Sequence, residues 1–165
     1  MDGQSLKLAE QVIREATARD MTVATAESCT GGLVSAALTS VSGSSAVFTH
    51  GFITYANEAK IGVLGVPESV IASQGAVSQP VAAAMAEGAL ARATASVSVS
   101  LTGIAGPGGG TTTKPVGLVW FGASSAFGTK TERRVFPGRD RHGVRELSVH
   151  QALRMLIAEI KQHPG

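Results

Sequence analysis

Met21-Thr22-Val23-Ala24-Thr25-Ala26 is a run of small, apolar and β-branched residues that passes straight into Glu27-Ser28-Cys29-Thr30-Gly31-Gly32. Leu33 to Leu38 then carries apolar residues at helical spacing. The first segment reads as a short buried strand and the last as a helix, opening at Gly31 and running to Thr39. Between them lies a turn rich in hydroxyls and glycine. In open α/β sheets, ligands bind outside the carboxyl ends of strands and against helix N-termini. Ser28 is therefore a nucleophile candidate, beside residues small enough for a substrate to touch the backbone.

The same alternation extends in both directions. Ser5 to Ala18 reads as an amphipathic helix with Leu6, Ala9, Ile13 and Ala16 on one stripe. Val47 to Tyr55 reads as a second strand, and Asn57 as the N-cap of a short helix through Val63. Another short helix opens at Pro67-Glu68 and ends before Gly75. Ser78 to Thr94 is a long alanine-rich helix, with Pro80 in its first turn. Ala95 to Leu101 alternates as a strand. Val116–Ala123 and Thr129–Phe136 are two more, joined by a link short enough for an antiparallel hairpin. The last helix runs from about Asp140 to Lys161, with Val149, Leu153, Leu156 and Ile160 buried. The expected fold is α/β: helices on both faces of a mixed, mostly parallel sheet with an antiparallel edge hairpin. A chain of 165 residues with no dividing linker is expected to form one domain over 1–165.

Composition narrows the function classes. Hydrophobic residues make up 44% and charged residues 16%, which argues for a packed globule rather than a disordered chain. A single cysteine excludes an internal disulfide framework, and no apolar run approaches the ~20 residues that a membrane-spanning helix needs. The expectation is a cytoplasmic protein without a membrane partner. Net charge is only +2, but eight of the fourteen basic residues lie from Lys130 onward. Aromatics are 4%, too few for base-stacking platforms, so nucleic acid is not the expected partner. A small phosphorylated ligand needs only one or two of these arginines. Arg145, four residues before Val149 and near the start of the last helix, is the best placed, ahead of Arg139 and Arg141.

Two further loops share the sheet edge of Ser28. Thr102-Gly103-Ile104-Ala105-Gly106-Pro107-Gly108-Gly109-Gly110 follows the central strand, and its glycines free backbone N–H groups for an anion or carbonyl. It matches neither a dinucleotide fingerprint nor a Walker loop, because Pro107 and Thr111–Thr113 follow and no Gly-Lys-Ser/Thr ending is present. Thr102, Gly103 and Gly106 are candidate substrate contacts. In Thr54-Tyr55-Ala56-Asn57-Glu58-Ala59-Lys60 a lysine stands in the first turn of a helix, where acidic side chains are favoured. Burial and the helix dipole would lower its pKa, and a lysine neutral near pH 7 is a general base. The four histidines show no metal-ligand spacing.

Taken together, T-A-E-S-C-T-G-G, G-F-I-T-Y-A-N-E-A-K, G-A-V-S, S-L-T-G-I-A-G-P-G-G-G and K-P-V-G-L-V-W-F resemble the competence/damage-inducible CinA family, in the stand-alone form of its C-terminal domain. The resemblance runs from about Leu6 to Leu156. It implies a three-layer α/β/α sandwich and an amidohydrolase that converts nicotinamide mononucleotide and water to nicotinate mononucleotide and ammonia. It implies no cofactor, and, with the apolar composition, a homodimer. The family's serine, tyrosine and lysine fall on Ser28, Tyr55 and Lys60. One departure is Thr111-Thr112-Thr113, which lacks the acidic residues common in relatives.

In such a reaction Lys60 would take the Ser28 proton directly or through the Tyr55 hydroxyl, and N–H groups from Thr30 to Gly32 would meet the oxyanion. Two alternatives stand beside it. Cys29 could be the nucleophile, activated at a helix N-terminus. The chain could also be a non-enzymatic module, sensing a nucleotide or serving a competence- or DNA-damage-linked partner.

Overall fold

A computed structural model describes residues 1–164. The elements follow in the order α1 Gly3–Thr17, β1 Val23–Glu27, α2 Leu33–Thr39, a 3-10 turn at Ser44–Ala46, and β2 Phe48–Ile53. Then come α3 Asn57–Leu64, α4 Glu68–Gln74, α5 Gln79–Ala93, β3 Val97–Gly103, β4 Leu118–Ser125, β5 Gly128–Val135 and α6 Arg141–Ile160. The five strands are ordered β2-β1-β3-β4-β5. β1 pairs parallel to both β2 and β3, whereas β4 is antiparallel to β3 and β5 antiparallel to β4. Only β4 thus runs against the other strands, and the sheet is mixed with an antiparallel edge hairpin, as expected.

The sheet is covered on both faces. α1, α2 and α6 pack on one side with Val97, Val99, Leu101, Val119 and Phe121 of the sheet in one apolar cluster. α3, α4 and α5 cover the other side, where Val81, Met85 and Ala89 meet Ala26, Leu64 and Val66. β1 is buried along its whole length and β3 up to its last residue. The Ser-Val-Ser-Val-Ser-Leu alternation of β3 explains the alanine-rich α5. Val97, Val99 and Leu101 face the α1/α6 side, while Ser98 and Ser100 donate to the carbonyls of Ala86 and Ala82 at 2.6 and 2.5 Å. Such a close approach requires small residues on both surfaces. A Cβ on Gly122 would stand 2.5 Å from the Ala82 carbonyl oxygen.

The local differences from the sequence expectations are informative. Gly31 (φ +60°) and Gly32 (φ +101°) adopt left-handed conformations, so they complete the turn rather than open α2. The chain enters α3 one residue earlier than expected. Ala56 is extended and is the N-cap, and Asn57, already helical, makes no capping bond. On α1, Leu8 and Val12 are buried with Ala9, Ile13 and Ala16, and Leu6 is only half-buried. The hairpin turn is tighter than expected, with Ala126 and Phe127 between β4 and β5. β5 forms one sheet edge with Lys130, Glu132, Arg133 and Arg134, while β2, Phe-Thr-His-Gly-Phe-Ile, forms the other without a formal charge if His50 is neutral. No helix among the described residues is long and apolar enough to cross a membrane.

Candidate active site

The parallel pairing of β1, β2 and β3 sends the Ser28 turn, the Tyr55 segment and the Thr102 loop out at one edge of the sheet. There, Ser28, Cys29, Tyr55, Asn57, Lys60, Ala76, Val77, Thr102, Gly103, Ala105 and Arg141 line a cleft of about 220 Å³. A larger cavity of about 660 Å³ adjoins it, sharing Ala105 and Arg141 and adding Pro107, Val116, Arg139, Asp140, His142 and Arg145. The small cleft has room for a carboxamide on a ring. The cleft alone falls short of the ~300–1,000 Å³ of ordinary ligand sites, whereas the adjoining cavity lies within that range.

Lys60 is 1% exposed, and its ammonium nitrogen lies 3.0 Å from Ser28 Oγ, 2.8 Å from the Thr54 carbonyl oxygen and 3.2 Å from that of Tyr55. Burial pushes its pKa below the ordinary lysine value. A charged ammonium would donate to all three oxygens; once uncharged, the amine keeps two N–H groups for the two carbonyls and its lone pair faces the serine hydroxyl. No carboxylate pairs with Lys60 among the described residues.

The turn that carries Ser28 is built by Glu27, a residue the sequence reading left without a role. Its side chain is fully buried at the end of β1. The carboxylate accepts from the Thr30 hydroxyl (2.6 Å), the N–H groups of Gly32 (3.1 Å) and Val34 (3.0 Å), and both the N–H and hydroxyl of Ser35 (2.8 Å each). It therefore does for α2 what a capping side chain does, but from the preceding strand. Its signal in the sequence was one acidic residue closing an otherwise uncharged strand.

This bonding changes the expected oxyanion donors. The Gly31 N–H donates to the Ser28 carbonyl at 3.1 Å, and the Gly32 N–H is taken by Glu27. Neither glycine lines the cleft. The Ser28 N–H is held by the Leu101 carbonyl at 3.1 Å. Among the described residues, the N–H groups of Cys29 and Thr30 have no acceptor. Thr30 is fully buried and, like the two glycines, does not line the cleft, so Cys29 stands on the lining in place of the expected Thr30–Gly32 set. The Thr30 side chain itself is turned into the protein.

Tyr55 is also placed differently from a proton relay. Its ring borders the cleft and is 61% exposed, and its hydroxyl accepts from Arg141 Nη2 at 3.1 Å rather than meeting Ser28 or Lys60. Arg141 Nη1 donates to the Gly106 carbonyl at 2.9 Å, so Arg141 spans the boundary between cleft and cavity. Gly106 contributes that carbonyl and a left-handed bend (φ +82°). Gly103 lines the cleft and has no room for a side chain, since a Cβ would lie 2.7 Å from Val119 Cγ2. The Thr102 hydroxyl donates to the Ala76 carbonyl at 2.9 Å, pinning the loop before α5 against the site. Asn57, freed from capping, faces the cleft.

Arg145 lines the cavity, but two of its nitrogens are committed: Nε donates to the Cys29 carbonyl at 3.1 Å and Nη2 to the Thr30 carbonyl at 3.0 Å. Cys29 is an unsuitable nucleophile. Burial, with the nearby Glu27 adding to it, pushes its thiol up to about 11, so little thiolate exists at neutral pH. His150, far from the cleft in sequence, is buried against Asp2 at 3.0 Å.

The family model of the CinA C-terminal domain matches residues 5–160. A protein of Escherichia coli (strain K12) named nicotinamide-nucleotide amidohydrolase PncC is 48% identical over 162 residues, which cover 98% of each chain. A CinA-like protein of Akkermansia muciniphila is also 48% identical, over 98% of this chain but 39% of its own length. The crystal structure of a competence/damage-inducible protein, CihA, from Agrobacterium tumefaciens superposes with a TM-score of 0.94 at 45% identity, covering 96% of both chains. The chain belongs to the CinA C-terminal domain family.

Proposed function

We propose that this protein is an amidohydrolase of nicotinamide nucleotides, with nicotinamide mononucleotide as substrate and Ser28 as nucleophile. The observation that carries this reading is the buried Lys60 nitrogen 3.0 Å from Ser28 Oγ, with no carboxylate paired to it among the described residues. The name of the Escherichia coli relative supplies the substrate class.

The chemistry follows from the contacts. Ser28 Oγ attacks the carboxamide carbon while its proton passes to the lone pair of Lys60, because an unassisted hydroxyl is a poor nucleophile. The carbonyl oxygen becomes an oxyanion. Lys60, now charged, returns the proton to the amide nitrogen as the C–N bond breaks, and ammonia leaves. An ester links the acid to Ser28. Water then attacks that ester, giving its proton to Lys60, which hands it back to Ser28 Oγ as the nicotinate product departs. The same amine acts first as base and then as acid, a role that suits a pKa held below the ordinary lysine value.

The rest of the substrate fits the adjoining cavity. Arg139 and Arg141 line it and Arg145 borders it, and no carboxylate pairs with any of the three among the described residues. A phosphate would meet that charge, three guanidiniums against the single Asp140 carboxylate on the lining, with Arg139 and the free edge of Arg141 as its donors. The Tyr55 ring, fixed through its hydroxyl by Arg141, offers a π-face to the cationic pyridinium ring.

Ammonia release from nicotinamide mononucleotide tests the reading. Wild type is expected to release it, with Ser28→Ala and Lys60→Met each lowering kcat by at least about a thousandfold. No release by wild type would refute the reading and favour the sensing or partner module. Full activity in Ser28→Ala would refute the nucleophile.

A further inference from the structure

Arg145 is a partly buried cation on the first turns of α6 with no carboxylate partner among the described residues. Its Nε and Nη2 both bond to main-chain carbonyls of the nucleophile's turn, those of Cys29 and Thr30. In a trans peptide the N–H points opposite to the C=O. A guanidinium that draws the Cys29 carbonyl towards α6 therefore turns the Thr30 N–H away from α6. The Gly31 N–H, in the next peptide, closes on the Ser28 carbonyl at 3.1 Å. That bond, in turn, leaves the Cys29 N–H directed away from it. Glu27 occupies the donors beyond, at Gly32, Val34 and Ser35. The outcome is two adjacent unpaired N–H groups immediately after the nucleophile, that of Cys29 on the cleft lining and that of Thr30 buried behind it. They belong to the turn and not to α2.

We infer that Arg145 is a positioning residue for the amidase reaction: by clamping the Cys29 and Thr30 carbonyls it holds the turn so that the Cys29 N–H, on the cleft lining, meets the oxyanion formed on Ser28. This rests on the proposed amidase reading and changes the expected role of Arg145, from phosphate clamp to organiser of the transition state. The positive charge on the Thr30 carbonyl also polarises the Gly31 N–H that bonds to the Ser28 carbonyl, and through that peptide strengthens the Cys29 N–H as a donor, since a hydrogen bond to one end of a peptide polarises the other. An interaction made only in the transition state appears in kcat, whereas a phosphate clamp appears in KM.

The experiment compares wild type with Arg145→Met and Arg145→Lys. The substrates are nicotinamide mononucleotide and a fluorophosphonate that labels Ser28 and carries neither pyridine nor nucleotide. Arg145→Met is expected to lower both kcat and the labelling rate by about a hundredfold, the scale of losing one oxyanion donor, with KM within threefold of wild type. Arg145→Lys, which can hold one carbonyl but not both, is expected to fall between them. If Arg145→Met fails to fold, the lysine variant carries the test by the same kcat and labelling readouts. A raised KM with unchanged kcat and unchanged labelling would overturn the inference and restore the phosphate clamp. Should wild type label at Ser28 but release no ammonia, the amidase reading fails alone, and the labelling rates of the variants decide the positioning role.

Discussion

Lys60 concentrates the functional argument in one side chain. Its pKa lies below the ordinary lysine value because burial disfavours the charged form. As a base it works only when neutral, so kcat/KM for ammonia release is expected to rise with pH through that lowered value and then level off. The stability consequence has a definite sign. Between the folded-state pKa and the unfolded value of 10.5, the unfolded chain binds more protons, so stability rises with pH across that window. The unfolding free energy of wild type minus that of Lys60→Met is thus expected to become more positive as pH increases, by denaturant titration at several pH values. A difference independent of pH would mean that Lys60 titrates normally. Tyr55 offers a second test at this scale. With its hydroxyl on Arg141 and not on Ser28 or Lys60, Tyr55→Phe is expected to keep kcat within about tenfold, while Tyr55→Ala raises KM. A loss of a thousandfold in Tyr55→Phe would restore the hydroxyl to the proton path.

At the scale of elements, the close seat of α5 on the sheet depends on missing side chains. Gly122→Ala would force a Cβ to within 2.5 Å of the Ala82 carbonyl oxygen, and a loss of about 1–3 kcal/mol in unfolding free energy is expected. Glu27→Ala would strand the donors of Gly32, Val34 and Ser35 in a buried turn, at a cost of about 3 kcal/mol or more. The elements themselves were legible because periodicity is local: the β3 alternation and the Val149/Leu153/Leu156/Ile160 stripe both appear as read. Hydrogen-bond ownership was not. Whether Gly32 donates to a substrate or to Glu27, and whether Asn57 caps α3 or faces the cleft, depends on how β1 and β2 deliver their ends. No spacing rule contains that. Arg145 was placed at the site, but its carbonyl partners lie more than a hundred residues away in the chain.

For the whole molecule, the topology explains why three separate segments meet. Parallel pairing of β1 with both neighbours puts Ser28, Tyr55 and Thr102 beyond the same edge, and α6 returns across that edge with Arg141 and Arg145. The two sheet edges differ: β5 is guarded by charge and β2 is not, and an unguarded edge favours pairing with another chain. The homodimer expected from the sequence predicts a light-scattering mass of twice the chain at micromolar concentration. A monomer mass would contradict it.

The central claim, an uncharged Lys60 that activates Ser28, is tested most directly by following the Lys60 side-chain carbon by NMR as a function of pH, alongside ammonia release from nicotinamide mononucleotide. A Lys60 midpoint below 10.5 that coincides with the rising limb of kcat/KM is expected. A midpoint at or above 10.5, or an activity limb unrelated to it, would contradict that claim.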